Sequence, residues 1–277
     1  MRPRWVRWRR SSPGNPRRVH RPPPVADRRF RRRLPSSGEY HRRLSPIWEE
    51  PTMTDSYKLV IGGELSDAAS GEIFDSIDPS TGDSFATVAK AGTEDARRAA
   101  EAARKAFDEG PWPKMKGRER AAALLKVADL VKQNAATLAE LEAKDAGHTI
   151  RMAKGADIGM VISTFRVFAE IAAKENEEIP LARNPGSMNY VRYEPVGVCV
   201  GITPWNFPIQ MAAWKIAPAI AAGNTVVIKP ASYTPLTTLE IGRLCLEAGI
   251  PEGVVNVVTG GGADVGEALV ASPLVDK

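Results

Sequence analysis

Residues 196–208 read VGVCVGITPWNFP, and residues 221–230 read AAGNTVVIKP. In each stretch, a run of apolar and largely β-branched residues ends in a polar loop that contains proline. A strand that is apolar along its whole length is typical of a parallel sheet covered on both faces. A helix-length stretch that reaches about Ala222 separates the two runs, so together they predict a β-α-β unit with a right-handed crossover.

The same pattern continues downstream. A helix is predicted after Pro235, ending at Gly249, and VVNVV at 254–258 is predicted as a third strand. The turn TGGGADVG at 259–266 then leads into a helix that reaches about Val270. The sequence therefore predicts an α/β fold containing the first half of a doubly wound parallel sheet, which binds ligands beyond the carboxyl ends of its strands.

Upstream, the sequence predicts three helices. An Ala-rich helix runs from Thr93, its expected N-cap, to about Glu109. Two longer helices follow, and the first should end at Gly147. Their core-facing stripes are predicted from apolar residues at spacings of three and four: Leu124, Val127, Val131, Ala135 and Leu138 in the first, and Ile158, Ile162, Phe165, Phe168 and Ala172 in the second.

Short strands are predicted around these helices. Residues 59–61 and 72–77 have the composition of strands followed by turns, and we interpret them as a small β region. A further strand is predicted at 188–193, where β-branched and aromatic residues lead into Pro195.

The three loops after the main strands hold the candidate functional residues. Asn206 fits an ordinary turn, but its amide between Trp205 and proline would also be a rigid donor suited to an oxyanion. Lys229 fits a solvated strand end or a contact to ribose or phosphate oxygens. The turn at 259–266 is only a loosened form of the glycine fingerprint for dinucleotides, so it fits a tight turn equally well.

The stretch from about Lys58 to Lys277 resembles the aldehyde dehydrogenase superfamily. The motifs that carry the resemblance are PWNFP, AAGNTVVIKP at 221–230, and EAGIPEGVVNVVTGGG at 247–262. In that family a cysteine thiolate attacks the aldehyde, hydride passes to a nicotinamide, and a glutamate activates the water that releases the acid. The resemblance thus implies oxidation of an aldehyde to a carboxylic acid with NAD or NADP.

The resemblance also assigns roles to individual residues. Asn206 is implied as the catalytic oxyanion donor, with the backbone of residues 203–205 on the nicotinamide side. Lys229 is implied as a ligand of the adenosine-ribose hydroxyls, and the glycine turn is implied to flank the adenosine. The cofactor-binding residues implied in this way are Ile202, Thr203, Pro204, Trp205, Lys229, Ser232, Gly262 and Gly266.

Position 232 bears on the choice of cofactor. Many NAD-preferring relatives have Glu there, whose carboxylate repels a 2′-phosphate, whereas this chain has Ser232. A neutral hydroxyl removes that repulsion, so we expect NADP to be accepted and favoured, with NAD also possible.

The family's catalytic cysteine and glutamate have no counterpart in residues 1–277. Cys199 lies in an apolar strand and Cys245 in a helix, and both are expected to be buried structural thiols. We therefore expect residues 53–277 to be the first part of an aldehyde dehydrogenase, inactive alone. The alternative is a non-catalytic nucleotide-binding or interaction module.

The first 52 residues differ from the rest in composition. They hold 15 Arg, no Lys, nine Pro and four acidic residues, a net charge of +11. Since the whole chain carries +5, residues 53–277 carry −6. We interpret residues 1–52 as a disordered arm translated from a start codon assigned too early, with Met53 as the natural start. A transit peptide, a nucleic-acid-binding arm and a polybasic membrane patch stay open as alternatives.

The expected partners follow from the same observations. We expect a small-molecule aldehyde as substrate, and neither nucleic acid nor membrane as partner. The intact family enzyme is expected to be a homo-oligomer, while the state of this chain stays open. Two cysteines suit a reducing cytoplasm. No metal site is expected, and His148 is given no role because it lies in a turn between helices.

Overall fold

A computed structural model describes residues 55–174 and 189–277. The arm at 1–52, together with Met53 and Met188, lies outside the described residues. The strands are β1 (Asp55–Tyr57), β2 (Leu59–Ile61), β3 (Glu64–Ser66), β4 (Ile73–Ile77), β5 (Ser84–Ala89), β6 (Val198–Ile202), β7 (Thr225–Lys229) and β8 (Val255–Val257). The helices are α1 (Thr93–Asp108), α2 (Gly117–Gln133), α3 (Ala135–Ala146), α4 (Ile150–Met152), α5 (Ile158–Ala173), α6 (Pro208–Ala221), α7 (Leu236–Glu247) and α8 (Glu267–Val270).

The main sheet has five strands in the order β3-β2-β8-β7-β6. Strands β6, β7 and β8 are parallel neighbours, which confirms the predicted doubly wound half-sheet. Strand β2 joins β8 in the antiparallel sense. The strands predicted at 59–61 and 72–77 are both present, as β2 and β4. Their grouping in one small β region was wrong, because the antiparallel pairing with β8 brings β2 into the main sheet.

Helices cover both faces of this sheet. Within β7, Val226 and Ile228 pack in one apolar cluster with α2, α5, α6 and α7, while Val227 packs in a second cluster with α1 and α8. Every residue of β7 is buried. Side chains alternate across a strand, so an unbroken apolar strand is what two covered faces require.

The edge strand β6 is less fully covered. Val198 is buried, but Val200 is only half-buried and Ile202 is exposed. The backbone of Asp276 and Lys277 lies against this edge. The amide of Asp276 donates to the carbonyl of Val198 at 2.9 Å, and the amide of Val200 donates to the carbonyl of Lys277 at 2.8 Å.

The helix boundaries depart from the sequence predictions at two places. Helix α1 begins at Thr93 with Gly92 as its N-cap, because the Asp95 carboxylate accepts a hydrogen bond from the Gly92 amide at 3.1 Å. The single helix predicted to end at Gly147 is two helices, separated at Asn134, whose side-chain amide donates to the Leu130 carbonyl at 2.9 Å. Its end at Gly147 is confirmed, with φ of 71°.

The stripe of α5 is rotated from its predicted position. Ile158 and Phe165 are fully buried as expected, but Ile162, Phe168 and Ala172 are only half-buried. Val161 and Ala169 take their place in the core. The strand predicted at 188–193 is reduced to an isolated bridge at Val191 among the described residues.

Strands β1, β5 and β4 form a separate three-stranded sheet. Strands β1, β3 and β5 were not predicted from the sequence. Helices spanning a membrane are not found in ranges 55–174 and 189–277, where none is both long and apolar enough.

Candidate functional site

The carboxyl ends of β6, β7 and β8 lie side by side and define the candidate site. Ile202 and Lys229 are opposite each other in the parallel register, and the Thr203 amide donates to the Lys229 carbonyl at 3.0 Å. On the other side of β7, the Val258 amide donates to the carbonyl of Ile228 at 3.0 Å. The three loops that the sequence singled out therefore leave the same edge of the sheet.

The loop after β6 presents Asn206 to solvent. Pro204, Trp205 and Asn206 are exposed, and Pro208 opens helix α6 with its fixed φ and no unsatisfied amide. Two neighbours hold the backbone of this loop. Thr234 donates its hydroxyl to the Trp205 carbonyl at 3.3 Å, and Nε2 of His148 lies 2.9 Å from the Asn206 carbonyl oxygen.

Lys229 is buried at the end of β7, with 4% of its surface exposed. Its ammonium donates to the Pro230 carbonyl at 3.0 Å, and burial lowers the pKa of this lysine. A buried ammonium is costly unless its donors are satisfied. Of the two alternatives for Lys229, burial rules out the solvated strand end, because neighbouring loops cover its stem.

The glycine turn packs against that stem. A Cβ placed on Gly266 would lie 3.7 Å from Cδ of Lys229 and 3.8 Å from Cδ1 of Ile202, so these three residues are direct neighbours. Residues 262–266 form a π-helical turn before α8, and a Cβ on Gly262 would meet nothing within 4 Å. Gly262 thus faces open space at this edge.

The hydrogen bonding of two hydroxyl groups nearby is informative. The hydroxyl of Ser232 donates to the carbonyl of Gly260 at 2.8 Å, which joins the loop after β7 to the glycine turn. The buried hydroxyl of Thr203 has no hydrogen-bond partner within the described part of the chain. Buried hydroxyls are rarely left without a hydrogen-bond partner, so the Thr203 hydroxyl marks a position where a bound group would supply one.

Behind the Asn206 loop lies a buried polar cluster. The other ring nitrogen of His148, Nδ1, is 2.7 Å from Oδ2 of Asp157, and Gln210 donates to Oδ1 of Asp157 at 2.7 Å. Glu142 accepts hydrogen bonds from the hydroxyl of Thr237 at 2.6 Å and from the Ile209 amide at 3.3 Å. Burial raises the pKa of Glu142 to about 7.

The ligand atoms of Glu142, His148 and Asp157 all lie within 4.8 Å of one another, which is a spacing that a metal ion could use. Hydrogen bonds already occupy these atoms, so the arrangement is that of a polar network. The sequence interpretation gave His148 no role as a ligand or catalytic residue. The structure places it in this polar network, because α3 and the turn after it fold back against α6.

The sequence did carry a signal for this cluster. Glu142 and Asp145 continue the stripe of buried residues of α3 that begins at Leu138, at spacings of four and three. Carboxylates on a core-facing stripe are rare unless they are paired. Asp145 is satisfied by the Ser76 hydroxyl at 2.7 Å and the Leu236 amide at 2.9 Å.

The two cysteines differ in their surroundings. Cys245 is fully buried in α7, and burial raises the pKa of its thiol to about 12. Cys199 is only half-buried, because β6 is an edge strand, so the expectation that it is buried was wrong. Partial burial still raises the pKa of the Cys199 thiol.

Comparison with known proteins identifies the family. The aldehyde dehydrogenase family model matches residues 66–277. The chain is 45% identical over 221 residues to a betaine aldehyde dehydrogenase of Bacillus subtilis, covering 80% of this chain and 45% of that protein. It is 44% identical over 229 residues to a mitochondrial benzaldehyde dehydrogenase of Antirrhinum majus, covering 82% of this chain and 43% of that protein.

Solved structures agree with the sequence matches. An aldehyde dehydrogenase of Bacillus cereus in complex with NAD+ superimposes with a TM-score of 0.78 at 41% identity, covering 80% of this chain and 45% of that one. The chain belongs to the aldehyde dehydrogenase family and has its α/β dinucleotide-binding fold, as the motifs predicted. It spans less than half the length of the two curated relatives named above.

Proposed function

We propose that this chain supplies the cofactor half-site and the oxyanion donor of an enzyme that oxidises an aldehyde to a carboxylic acid with NAD or NADP. The observation that carries the proposal is the meeting of three loops at one sheet edge. There the exposed Asn206, the buried Lys229 and the turn at Gly266 lie at or beyond the carboxyl ends of three neighbouring parallel strands.

The residues at this edge fit a nicotinamide dinucleotide. Among the described residues, the buried ammonium of Lys229 has one acceptor, the Pro230 carbonyl, which leaves two further protons for ribose or phosphate oxygens. Gly262 leaves open space for a flat ring. Across β7, in the loop after β6, the buried hydroxyl of Thr203 has no hydrogen-bond partner among the described residues. In this proposal residues 202–205 line the nicotinamide side, and Gly262 and Gly266 flank the adenosine.

Asn206 contributes to the reaction by electrostatics. An amide NH₂ held on a loop whose carbonyls are hydrogen-bonded can donate to the oxygen that becomes negative when a nucleophile attacks the aldehyde. The nicotinamide cofactor, when bound, accepts the hydride. The donor must be in position before the charge develops, which is why the fixed backbone around Asn206 matters.

We propose that neither cysteine of the described chain is the nucleophile. The thiolate is the reactive form of cysteine, and the raised pKa values of Cys199 and Cys245 disfavour it. In the proposal the attacking thiolate and the carboxylate that activates water come from a part of the intact enzyme outside residues 1–277, and this chain alone shows no turnover.

Ser232 supports acceptance of NADP. Its hydroxyl is neutral and its proton is already donated to Gly260, so position 232 places no negative charge against a 2′-phosphate. We therefore propose that NADP binds at least as well as NAD. The substrate is proposed only as a small aldehyde, the intact enzyme as a homo-oligomer, and its location as a reducing compartment such as the cytoplasm.

Ligand-detected NMR by saturation transfer tests this proposal on the chain as it exists, because the method detects millimolar affinities. We expect NAD, NADP and ADP-ribose to bind, and GTP at the same concentration to give no signal. Equal signals from GTP, or none from the dinucleotides, would refute the half-site. Aldehyde-dependent formation of reduced cofactor by residues 1–277 would refute the placement of the nucleophile.

A further inference from the structure

His148 joins the buried polar cluster to the loop that carries Asn206. Its Nδ1 is 2.7 Å from a carboxylate oxygen of Asp157, and its Nε2 is 2.9 Å from the backbone carbonyl oxygen of Asn206. The ring also makes an edge contact with Phe207, with centroids 5.4 Å apart. The imidazole therefore touches the loop at two consecutive residues.

Both partners of the ring are hydrogen-bond acceptors. A carbonyl oxygen can only accept, and an ionised carboxylate can only accept. Neutral imidazole has one N–H, so it can satisfy only one of the two partners. The observed arrangement makes both hydrogen bonds when the ring is an imidazolium with a proton on each nitrogen.

The surroundings of the ring favour that charged form. Asp157 is fully buried and receives its other hydrogen bond from Gln210 of α6, while Glu142 of α3 lies near enough to act on the ring by its charge. Partial burial lowers the pKa of His148, but the hydrogen bond and the charge of Asp157 outweigh it, so the pKa is raised. The titratable groups facing His148 in the described structure are thus carboxyl groups.

We propose that His148, held by Asp157, is a positioning residue that fixes the backbone of the Asn206 loop through a charged hydrogen bond and releases it when the ring loses a proton. This inference rests on the proposed role of Asn206 as the oxyanion donor. With the Thr234 hydroxyl holding the preceding carbonyl at 3.3 Å, two successive carbonyls of the loop are restrained. The direction of the Asn206 amide is then set before an aldehyde arrives.

The release of the loop depends on pH in a defined direction. A raised pKa means that both hydrogen bonds are present at and below about pH 6.5, the ordinary value for histidine, and that one is lost as the pH rises through the higher value of the folded state. The carboxylate of Asp157 is the stronger acceptor, so it keeps the remaining proton on Nδ1. The Nε2 lone pair then faces the Asn206 carbonyl, and the loop loosens.

The chain has three histidines, and only His148 lies in residues 55–277. Selective ring-¹⁵N labelling of histidine therefore follows its protonation directly, and His148→Gln identifies its signals. In parallel, hydrogen exchange of segment 203–207, in which the Thr203 amide donates to the Lys229 carbonyl at 3.0 Å, is measured from pH 5.5 to 9 without cofactor. Each rate is divided by the intrinsic rate at that pH. We expect protection to fall about tenfold as the pH rises, because a charged hydrogen bond is lost. The midpoint of this fall should coincide with the midpoint of the His148 titration.

Asp157→Asn separates this role from a merely structural one. The asparagine oxygen can still accept from Gln210, and its amide can donate to Nδ1, which leaves the proton of neutral His148 on Nε2 and facing the Asn206 carbonyl. We expect the His148 pKa to fall and the protection of segment 203–207 to become independent of pH. Asp129→Asn, which removes an exposed carboxylate paired with Arg166, is the matched control and should titrate as the original chain does.

Titration of His148 with no matching change in protection would overturn the proposal, and so would a ring that stays neutral throughout this pH range. These measurements use the original chain first, so they stand even if Asp157→Asn fails to fold. They also use no cofactor. Failure of NAD or NADP to bind would count against the proposed function, while the coupling of His148 to the loop would be decided separately.

Discussion

Ser232 donates its hydroxyl to the backbone carbonyl of Gly260 at 2.8 Å, and this one hydrogen bond joins two loops of the candidate cofactor site. The side chain at position 232 is therefore held beside the glycine turn. A charge placed there would act on a ligand bound over Gly262, which is the open side of that turn.

Ser232→Glu should change the preference between cofactors. A carboxylate at this position repels a 2′-phosphate and can accept hydrogen bonds from ribose hydroxyls, so we expect the ratio of NADP to NAD affinity to fall about tenfold or more. Equilibrium binding of both cofactors measures the ratio. Tyr233→Glu is the control. Tyr233 is 82% exposed, so this change adds the same charge at the neighbouring position, where the side chain faces solvent. An unchanged ratio in Ser232→Glu would contradict the proposal.

Lys229→Met should weaken cofactor binding without weakening the fold. Methionine fills the space of the buried stem but has no ammonium for ribose or phosphate oxygens, so we expect affinity to fall about tenfold for both cofactors. The free energy of unfolding should stay equal or rise by about 1 kcal/mol, because a buried charge with one carbonyl partner is removed. Urea denaturation and binding titrations on the same samples separate the two effects.

The control for this change is Lys215→Met, at an exposed lysine of α6. It should alter neither quantity by more than about 0.5 kcal/mol. Loss of stability in Lys229→Met, with cofactor affinity unchanged, would mean that the lysine is structural.

Glu142→Gln should stabilise the chain at alkaline pH. Burial raises the pKa of Glu142 from 4.5 to about 7, so the folded state binds a proton between these values that the unfolded state releases. The stabilising contribution is therefore present below pH 4.5 and is lost as the pH rises through about 7. Glutamine keeps an acceptor for the Ile209 amide and a partner for Thr237, but it carries no charge.

We expect the mutant to match the original chain at pH 5 and to exceed it at pH 8 by on the order of 2 kcal/mol. Urea unfolding at several pH values measures the difference. Asp145, whose pKa burial also raises to about 7, contributes the same slope in both proteins and cancels in the comparison. Glu140→Gln, at an exposed position of α3, should show no such pH dependence, and an equal effect there would contradict the assignment.

Gly242→Ala should destabilise the contact between α7 and the sheet. An added Cβ would lie 2.8 Å from Cγ2 of Val257 and 3.2 Å from Cγ2 of Val60, which is too close for unstrained packing. The cost of overpacking exceeds the helix propensity gained, so we expect a loss of about 1 to 2 kcal/mol. Gly159→Ala in α5 meets nothing within 4 Å and should instead gain about 0.5 to 1 kcal/mol. Thermal or urea unfolding compares the two, and a loss in both would show that packing is not the cause.

The sequence predicted the parallel half-sheet because its strands are apolar on both faces and are separated by clear helix ends. Gly249 marked one of those ends correctly, with φ of 85°, and Gly147 correctly marked the end of α3 upstream, with φ of 71°. It did not predict the division at Asn134, because one side-chain hydrogen bond interrupts a stripe that is otherwise continuous. It also missed the pairing of β2 with β8, since a three-residue strand carries no signal for its distant partner.

The sequence by itself determined the family, the order of the main strands and helices, and the loops that hold Asn206, Lys229 and Ser232, because local apolar patterns and short motifs carry that information. Only the tertiary structure decided that Lys229 is buried against Gly266 and that His148 reaches the Asn206 loop. Both relationships join residues far apart in the chain. Their physical cause is the packing of helices and turns around the sheet, which brings together polar groups whose charge and hydrogen bonding depend on burial.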